Sequence, residues 1–327
     1  MLCTSCASKQ KHELSVLHLN IWMDATVVDH GFDAVVDEIV RVDPDIVMLS
    51  EADNRDGVLI VPRFIEALQK KGKDYFGESS SLDVALLSKY PLSEQTENIP
   101  HKDRVIRTRL DVKGKQVVVY TGHLDYTHYA CYLPRGYSGV TWKKLDAPVT
   151  DVTEIEKANS ESLRDESIRL VIEDAKKQQA DFIILGGDFN EPSHLDWTEE
   201  TKEMWDHNGT VVHWDCSTLL YEAGFRDAYR VKYPDPVTHP GFTFPSDNPD
   251  MPVERLTWAP EADERDRIDF IYYMPAAGWE VNEAVVVGPK SSIVRSRRVE
   301  EDSQDSFSTP SGTWPTDHKG LLIKFGF

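Results

Sequence analysis

Cysteine, basic charge and long apolar runs are all scarce in this 327-residue chain. The four cysteines, Cys3, Cys6, Cys131 and Cys216, are too few and too scattered for a disulfide framework. Cys3 and Cys6 form a CxxC, but no second pair or nearby histidine completes a zinc-binding spacing. Lys and Arg number 36 against 56 Asp and Glu, a formal net charge of −20. A general nucleic-acid binder needs a basic face to replace released counterions, and polybasic recruitment to a membrane needs the same, so the charge disfavours both. No stretch approaches the ~20 apolar residues of a membrane span. No internal repeat or low-complexity tract is present either.

What remains is the composition of an ordinary globular protein, 40% hydrophobic and 28% charged. The start, MLCTSCASKQ, fits two readings. It resembles the end of a bacterial lipoprotein signal, with Thr4 and Ser5 before an acylated Cys6 that would anchor the protein to lipid in the cell envelope. Alternatively residues 1–12 are a disordered tether and the protein is cytoplasmic. Residues 13–327 read as one domain, because no linker divides them.

Apolar alternation predicts strands at 14–20, 83–88, 105–112, 115–123, 181–188, 267–273, 279–287 and 320–325, and a Pro-started buried strand within 43–51. Helical spacing predicts helices at 32–42, 62–71, 161–178 and around 198–206. Hairpin-like pairs mixed with strand–helix–strand units indicate an α/β fold with two mixed sheets and helices outside. The stretches 124–160, 189–216 and 233–262 read as long functional loops.

A polar residue ends one apolar strand after another: Asn20, Glu51, His123, Asp188 with Asn190, and Asp269. Asp317 and His318 precede the last strand instead. Polar groups at strand ends converge on one crevice. Singly, each has a bland explanation: a turn cap, a solvent-facing acid, a satisfied core histidine. GGDFN (186–190) resists it, since two glycines permit close backbone approach just where a carboxylate and an amide are presented.

Together LNIW (19–22), SEAD (50–53), TGHLD (121–125), GGDFN (186–190), RIDFIYY (267–273) and TDHKG (316–320) resemble, in order, the motifs of the endonuclease/exonuclease/phosphatase superfamily. The resemblance spans nearly the whole chain. It implies a four-layer α/β sandwich and hydrolysis of a phosphate ester dependent on magnesium, or on manganese in its place. It further implies Glu51, Asn20 and Asp317 as metal residues, and Asp188 as the group that orients or deprotonates the attacking water. Asn190 would donate to the phosphoryl oxygens, and His318, fixed by Asp269, would contact the phosphate or share proton transfer. His123 stands where phosphodiesterase branches carry a histidine and repair nucleases a tyrosine. Hard oxygen donors suit magnesium independently of the resemblance.

Substrate signals are thinner. Tyr126, Tyr129 and His194 lie close in sequence to His123 or Asn190, and Arg164 opens a helical stretch, so these four are the candidate substrate contacts. Packing of the loops explains most of the other aromatics, including Trp197, Trp205 and Trp214. Arg295, Arg297 and Arg298 read as a solvated loop. The function expected is a phosphodiesterase acting on a small, sugar-linked or headgroup phosphate ester. A nuclease on DNA or RNA is the alternative, and a non-catalytic surface-binding protein is the alternative of another class.

Overall fold

The computed structural model describes residues 11–97 and 104–327. Cys3 and Cys6, and with them the lipid-anchor reading, lie outside the described residues. His12 exchanges two backbone hydrogen bonds with Phe327, at 2.8 and 2.9 Å. It therefore belongs to the folded edge and not to a tether.

Fourteen strands are described: β1 (Glu13–Asn20), β2 (Ile46–Ser50), β3 (Val84–Ser88), β4 (Leu92–Thr96), β5 (Arg104–Val112), β6 (Lys115–His123), β7 (Phe182–Asp188), β8 (Arg226–Asp227), β9 (Asp269–Met274), β10 (Glu280–Val287), β11 (Ser291–Val294), β12 (Arg297–Glu300), β13 (Phe307–Ser308) and β14 (Gly320–Gly326). One six-stranded sheet has the order β13-β10-β14-β1-β2-β3 and the other β4-β5-β6-β7-β9-β8. Period-two alternation explains how they stack. Val16, Ile46, Met48 and Leu86 of the first sheet meet Val117, Val119, Ile184 and Ile271 of the second. The alternate residues Leu17, Leu19, Val47 and Leu49 face outward beneath helices Gly31–Val42 and Ile60–Lys70. Val118, Tyr120, Ile183 and Leu185 likewise pack under helices Arg164–Ala175 and Asp215–Glu222. The four-layer sandwich follows, with strands apolar on both faces because both are covered.

Three expectations change. No helix forms at 198–206, where turns carry Trp205 and Asp206 at φ 50° and 54°. Inside the expected 124–160 loop lies helix Val152–Asn159, its first turn capped by Asp151, whose carboxylate accepts from the amides of Thr153 and Glu154. The expected solvated loop at 295–298 is instead the tip of hairpin β11–β12. Arg295 and Ser296, both left-handed, form its turn, and Arg298 is held by Asp247. No helix among the described residues is long and apolar enough to cross a membrane.

Candidate active site

β1 and β2 run parallel, as do β6 and β7, so their C-terminal ends share one edge of the sandwich. β9 and β14 run antiparallel to these neighbours and therefore begin at that edge. This geometry gathers Asn20, Glu51, His123, Asp188, Asp269, Asp317 and His318. Register places His123 opposite Asp188, and Asp188 opposite Asp269. The Ser50 hydroxyl donates to the Gly122 carbonyl at 3.0 Å and stitches the two sheets at the crevice floor. A Cβ on Gly187 would lie 1.9 Å from the Gly122 oxygen, so only glycine lets β7 deliver Asp188 here.

Asp188 is buried between two histidines. Its Oδ2 lies 3.9 Å from His123 Nε2 and 3.8 Å from His318 Nε2. Each imidazole is backed by a carboxylate: His123 Nδ1 meets Asp83 at 2.8 Å, and His318 Nδ1 meets Asp269 at 2.9 Å. The other Asp269 oxygen meets His18 Nε2 at 2.8 Å. Burial opposes charge on His318, yet Asp269 and Asp188 raise its pKa to about 10, so it is an imidazolium at neutral pH. Burial likewise opposes ionisation of Asp269, but His318 and His18 hold it well below the usual carboxylate range. His123 is also raised, by Asp83, Asp188 and Glu51 against burial. Burial, and then the charge of Asp269, raise Asp188 above the usual carboxylate range. Asn190 donates its backbone N–H to Asp188 Oδ1 at 2.9 Å, and its side-chain amide donates to the Leu124 carbonyl.

Glu51 and Asp317 form the acidic side. Asn20 links it to Asp188, its amide donating to Glu51 Oε1 at 3.0 Å and to Asp188 Oδ2 at 2.9 Å, while its oxygen accepts from the Trp22 amide. Glu51 Oε2 accepts from the Met23 amide at 2.7 Å. Trp22–Ala25 supply these donors from a left-handed turn, φ 49° to 59°. That conformation costs about 1–2 kcal/mol per residue. The turn is held by Asp24, whose carboxylate accepts from the amides of Asp53 and Arg55. Burial and the charge of Glu51 raise Asp317 to about 7, against the lowering effect of His318. Buried Asp317 and half-buried Glu51, in repulsion and each with oxygen lone pairs to spare, form a donor set suited to a hard divalent cation. Asp188, Asp269 and His318 also offer ligand atoms within 4.8 Å of one another. Both oxygens of Asp269, however, are occupied by histidines.

Glu51, His123, Asp188, Asn190, Asp317 and His318 line a crevice of about 450 Å³, whose other wall is aromatic. Tyr126 and Tyr129 are in it, as their sequence position suggested. Arg164 and His194 are not. Arg164 is buried, its guanidinium donating to the carbonyls of Asp125, Thr127 and His128 and to Asn159. His194 pairs with the Ser217 hydroxyl and packs edge-on against Tyr221. Sequence reasoning missed Asp83, His18, Trp22, Arg55, Phe244 and Trp258. A signal existed for His18, which shares the inward face of β1 with Val16 and Asn20. Asp83 opens β3 beside Glu51, just as Asp269 opens β9.

Residues 17–318 match the model of the Endonuclease/Exonuclease/phosphatase family. An uncharacterized Caenorhabditis elegans protein, F14F9.5, is 28% identical over 282 residues, 84% of this chain and 83% of that protein. Among solved structures, the mannosyl-6-phosphatase of Bacteroides thetaiotaomicron aligns with a TM-score of 0.54 at 16% identity, covering 96% of this chain and 100% of the other. D. rerio TDP2 in complex with a single-strand DNA product aligns with a TM-score of 0.53 at 14% identity, covering 96% and 98%. These structural likenesses establish a shared fold.

Proposed function

The chain belongs to the endonuclease/exonuclease/phosphatase family, whose members are metal-dependent phosphoester hydrolases, and from that premise we propose a magnesium-dependent hydrolase of small phosphate esters with the following roles for its residues. The observation that carries the proposal is Asp188 flanked by two carboxylate-backed histidines. Glu51 and Asp317 would hold the cation, with Asn20 and the Met23 amide fixing the Glu51 carboxylate. A bound divalent metal supplies Lewis-acid polarisation of a phosphoryl oxygen.

Asp188, raised towards a useful basicity, orients a water and takes its proton as the water oxygen bonds to phosphorus. His318, already protonated, donates to a phosphoryl oxygen and stabilises the charge that gathers there. Asn190 adds a neutral donor. His123, whose protonated form Asp83 favours, delivers a proton to the alcohol oxygen as the P–O bond breaks. The products are a phosphate carrying the water oxygen and a neutral alcohol; Asp188 then releases its proton to solvent and His123 takes one back from it, which restores the starting state.

Among the described residues, Arg55 is the one Lys or Arg that lines the crevice, and it is paired to Asp53 at 3.1 Å. That supports a substrate with little negative charge beyond the reacting phosphate, and it weighs against a nuclease. Asp188→Asn and His318→Gln should each lower magnesium-dependent turnover of a chromogenic phosphodiester and a phosphomonoester by about 10²–10⁴-fold, with circular dichroism unchanged. Wild-type rates in both folded variants would refute the assignment.

A further inference from the structure

One wall of the crevice plays no part in the chemistry described above. Tyr129 and Tyr132 meet edge to face at 4.8 Å, Trp142 packs on both at 6.1 and 5.6 Å, and Trp258 continues the row at 5.8 Å from Trp142. The row joins two loops more than a hundred residues apart, and several independent contacts fasten them. Buried Glu264 accepts from the Tyr132 hydroxyl, the Thr257 hydroxyl and the amides of Trp258 and Ala259. The Glu261 amide donates to the Tyr137 hydroxyl, and Lys144 pairs with Glu261. Trp142 adopts φ 60°, a strained conformation for a bulky residue that these contacts enforce.

Trp258 is nevertheless 49% exposed and Tyr126 52% exposed, both lining the crevice. Isolated exposed aromatics are ordinary surface. A rigid row of rings that runs from the buried interior to an exposed face beside a reaction centre is a preorganised stacking platform. The Asp53–Arg55 pair lines the same crevice and sets a hydroxyl acceptor beside hydroxyl donors, both partners part-exposed. An aromatic face and such a pair within one crevice match a saturated ring whose C–H face packs on the wall while its hydroxyls meet the charged pair.

We infer that the alcohol half of the substrate is an uncharged, hydroxyl-bearing ring of the sugar or cyclitol kind, stacked on Trp258 and Tyr126 with hydroxyls on Asp53 and Arg55. The inference rests on the phosphohydrolase reading for its position, but its test does not depend on turnover. Calorimetry on the magnesium-loaded Asp188→Asn protein compares a hexose phosphate, glycerol phosphate and phenyl phosphate. The hexose ester should bind about tenfold tighter than the other two. Adding Trp258→Ala should bring the hexose-to-glycerol ratio close to one, and Asp53→Ala should bring the hexose-to-phenyl ratio close to one. Tyr126→Ala serves as a second wall variant. Equal binding of hexose and glycerol esters would overturn the stacking subsite, and tighter binding of phenyl phosphate would overturn its preference for hydroxyls. Absence of hydrolysis by the wild-type enzyme, with the hexose preference intact, would instead sink the catalytic reading and leave the subsite standing.

Discussion

Asp83 shows how one side chain sets the state of another. It touches His123 Nδ1 at 2.8 Å, so the proton on that nitrogen is shared and Nε2 faces Asp188. Among the causes that act on His123, burial works against protonation and Asp83 works most strongly for it. Asp83→Asn keeps the hydrogen bond but removes the charge. A hydrogen bond to a charged group is worth about 1.5–3 kcal/mol, which predicts a fall in kcat of about ten- to a hundredfold. KM should stay nearly constant, because the loss appears only where His123 must carry a proton. A kinetic comparison in which KM alone rises would show that Asp83 serves binding instead.

At the scale of elements, Arg164 exchanges the expected substrate contact for a structural one. Helix Arg164–Ala175 begins with this guanidinium turned inward, and its bonds to the carbonyls of Asp125, Thr127 and His128 fix the loop just beyond His123. The guanidinium also meets buried Glu191 at 3.4 Å, so Arg164→Ala strands that carboxylate without its cation and should cost about 3–5 kcal/mol of stability. Lysine, with one compact charge, should rescue little. Urea unfolding measures this, and a cost below about 1 kcal/mol would mean that water replaces the guanidinium. The same contrast explains what the sequence could reveal. Strands buried on both faces, such as β6 and β7, announce themselves through continuous apolar runs, and helix Gly31–Val42 through its spacing of Phe32, Val35, Val36 and Ile39. Their polar ends therefore identified the crevice. Helix Val152–Asn159 buries only Ile155 and Asn159, so no apolar stripe betrays it. The stretch 198–206 has helical composition but is overruled by tertiary contacts, with Trp205 edge-on to Phe242 and Asp206 holding Arg295. His194 is suggested by proximity in sequence and Arg164 by its charge at the start of a helix, neither of which says from which side a helix or loop presents a residue. The aromatic wall was half legible, since Trp258 comes from a loop far along the chain.

At the scale of the whole molecule, the fold brings several of the 56 acids behind the net charge of −20 together in one crevice. Glu51, Asp188 and Asp317 are brought to one crevice, and Asp317 is pushed from its ordinary 3.8 to about 7 by burial and by Glu51. A folded-state pKa raised in this way means that the folded protein prefers the protonated acid. The associated stability is fully present below pH 3.8 and is lost as pH rises through about 7. Without metal, then, the site opposes folding at neutral pH, and a divalent cation reverses the local field. Magnesium should accordingly raise the melting temperature, by mass action about 2.7 kcal/mol when it stands at 100 times its Kd. Asp317→Asn, isosteric and neutral, should behave oppositely in the two states. In chelator at pH 7.5 it should melt about 2–4 °C above wild type, as expected for roughly 1 kcal/mol of relieved repulsion. With magnesium its advantage should vanish, because the variant gains less from the cation. Differential scanning fluorimetry of both proteins, with and without magnesium, makes the comparison directly. If Asp317→Asn instead melts below wild type in chelator, the acid stabilises the metal-free fold through its neighbours, and the assignment of Asp317 to a cation site loses its physical basis.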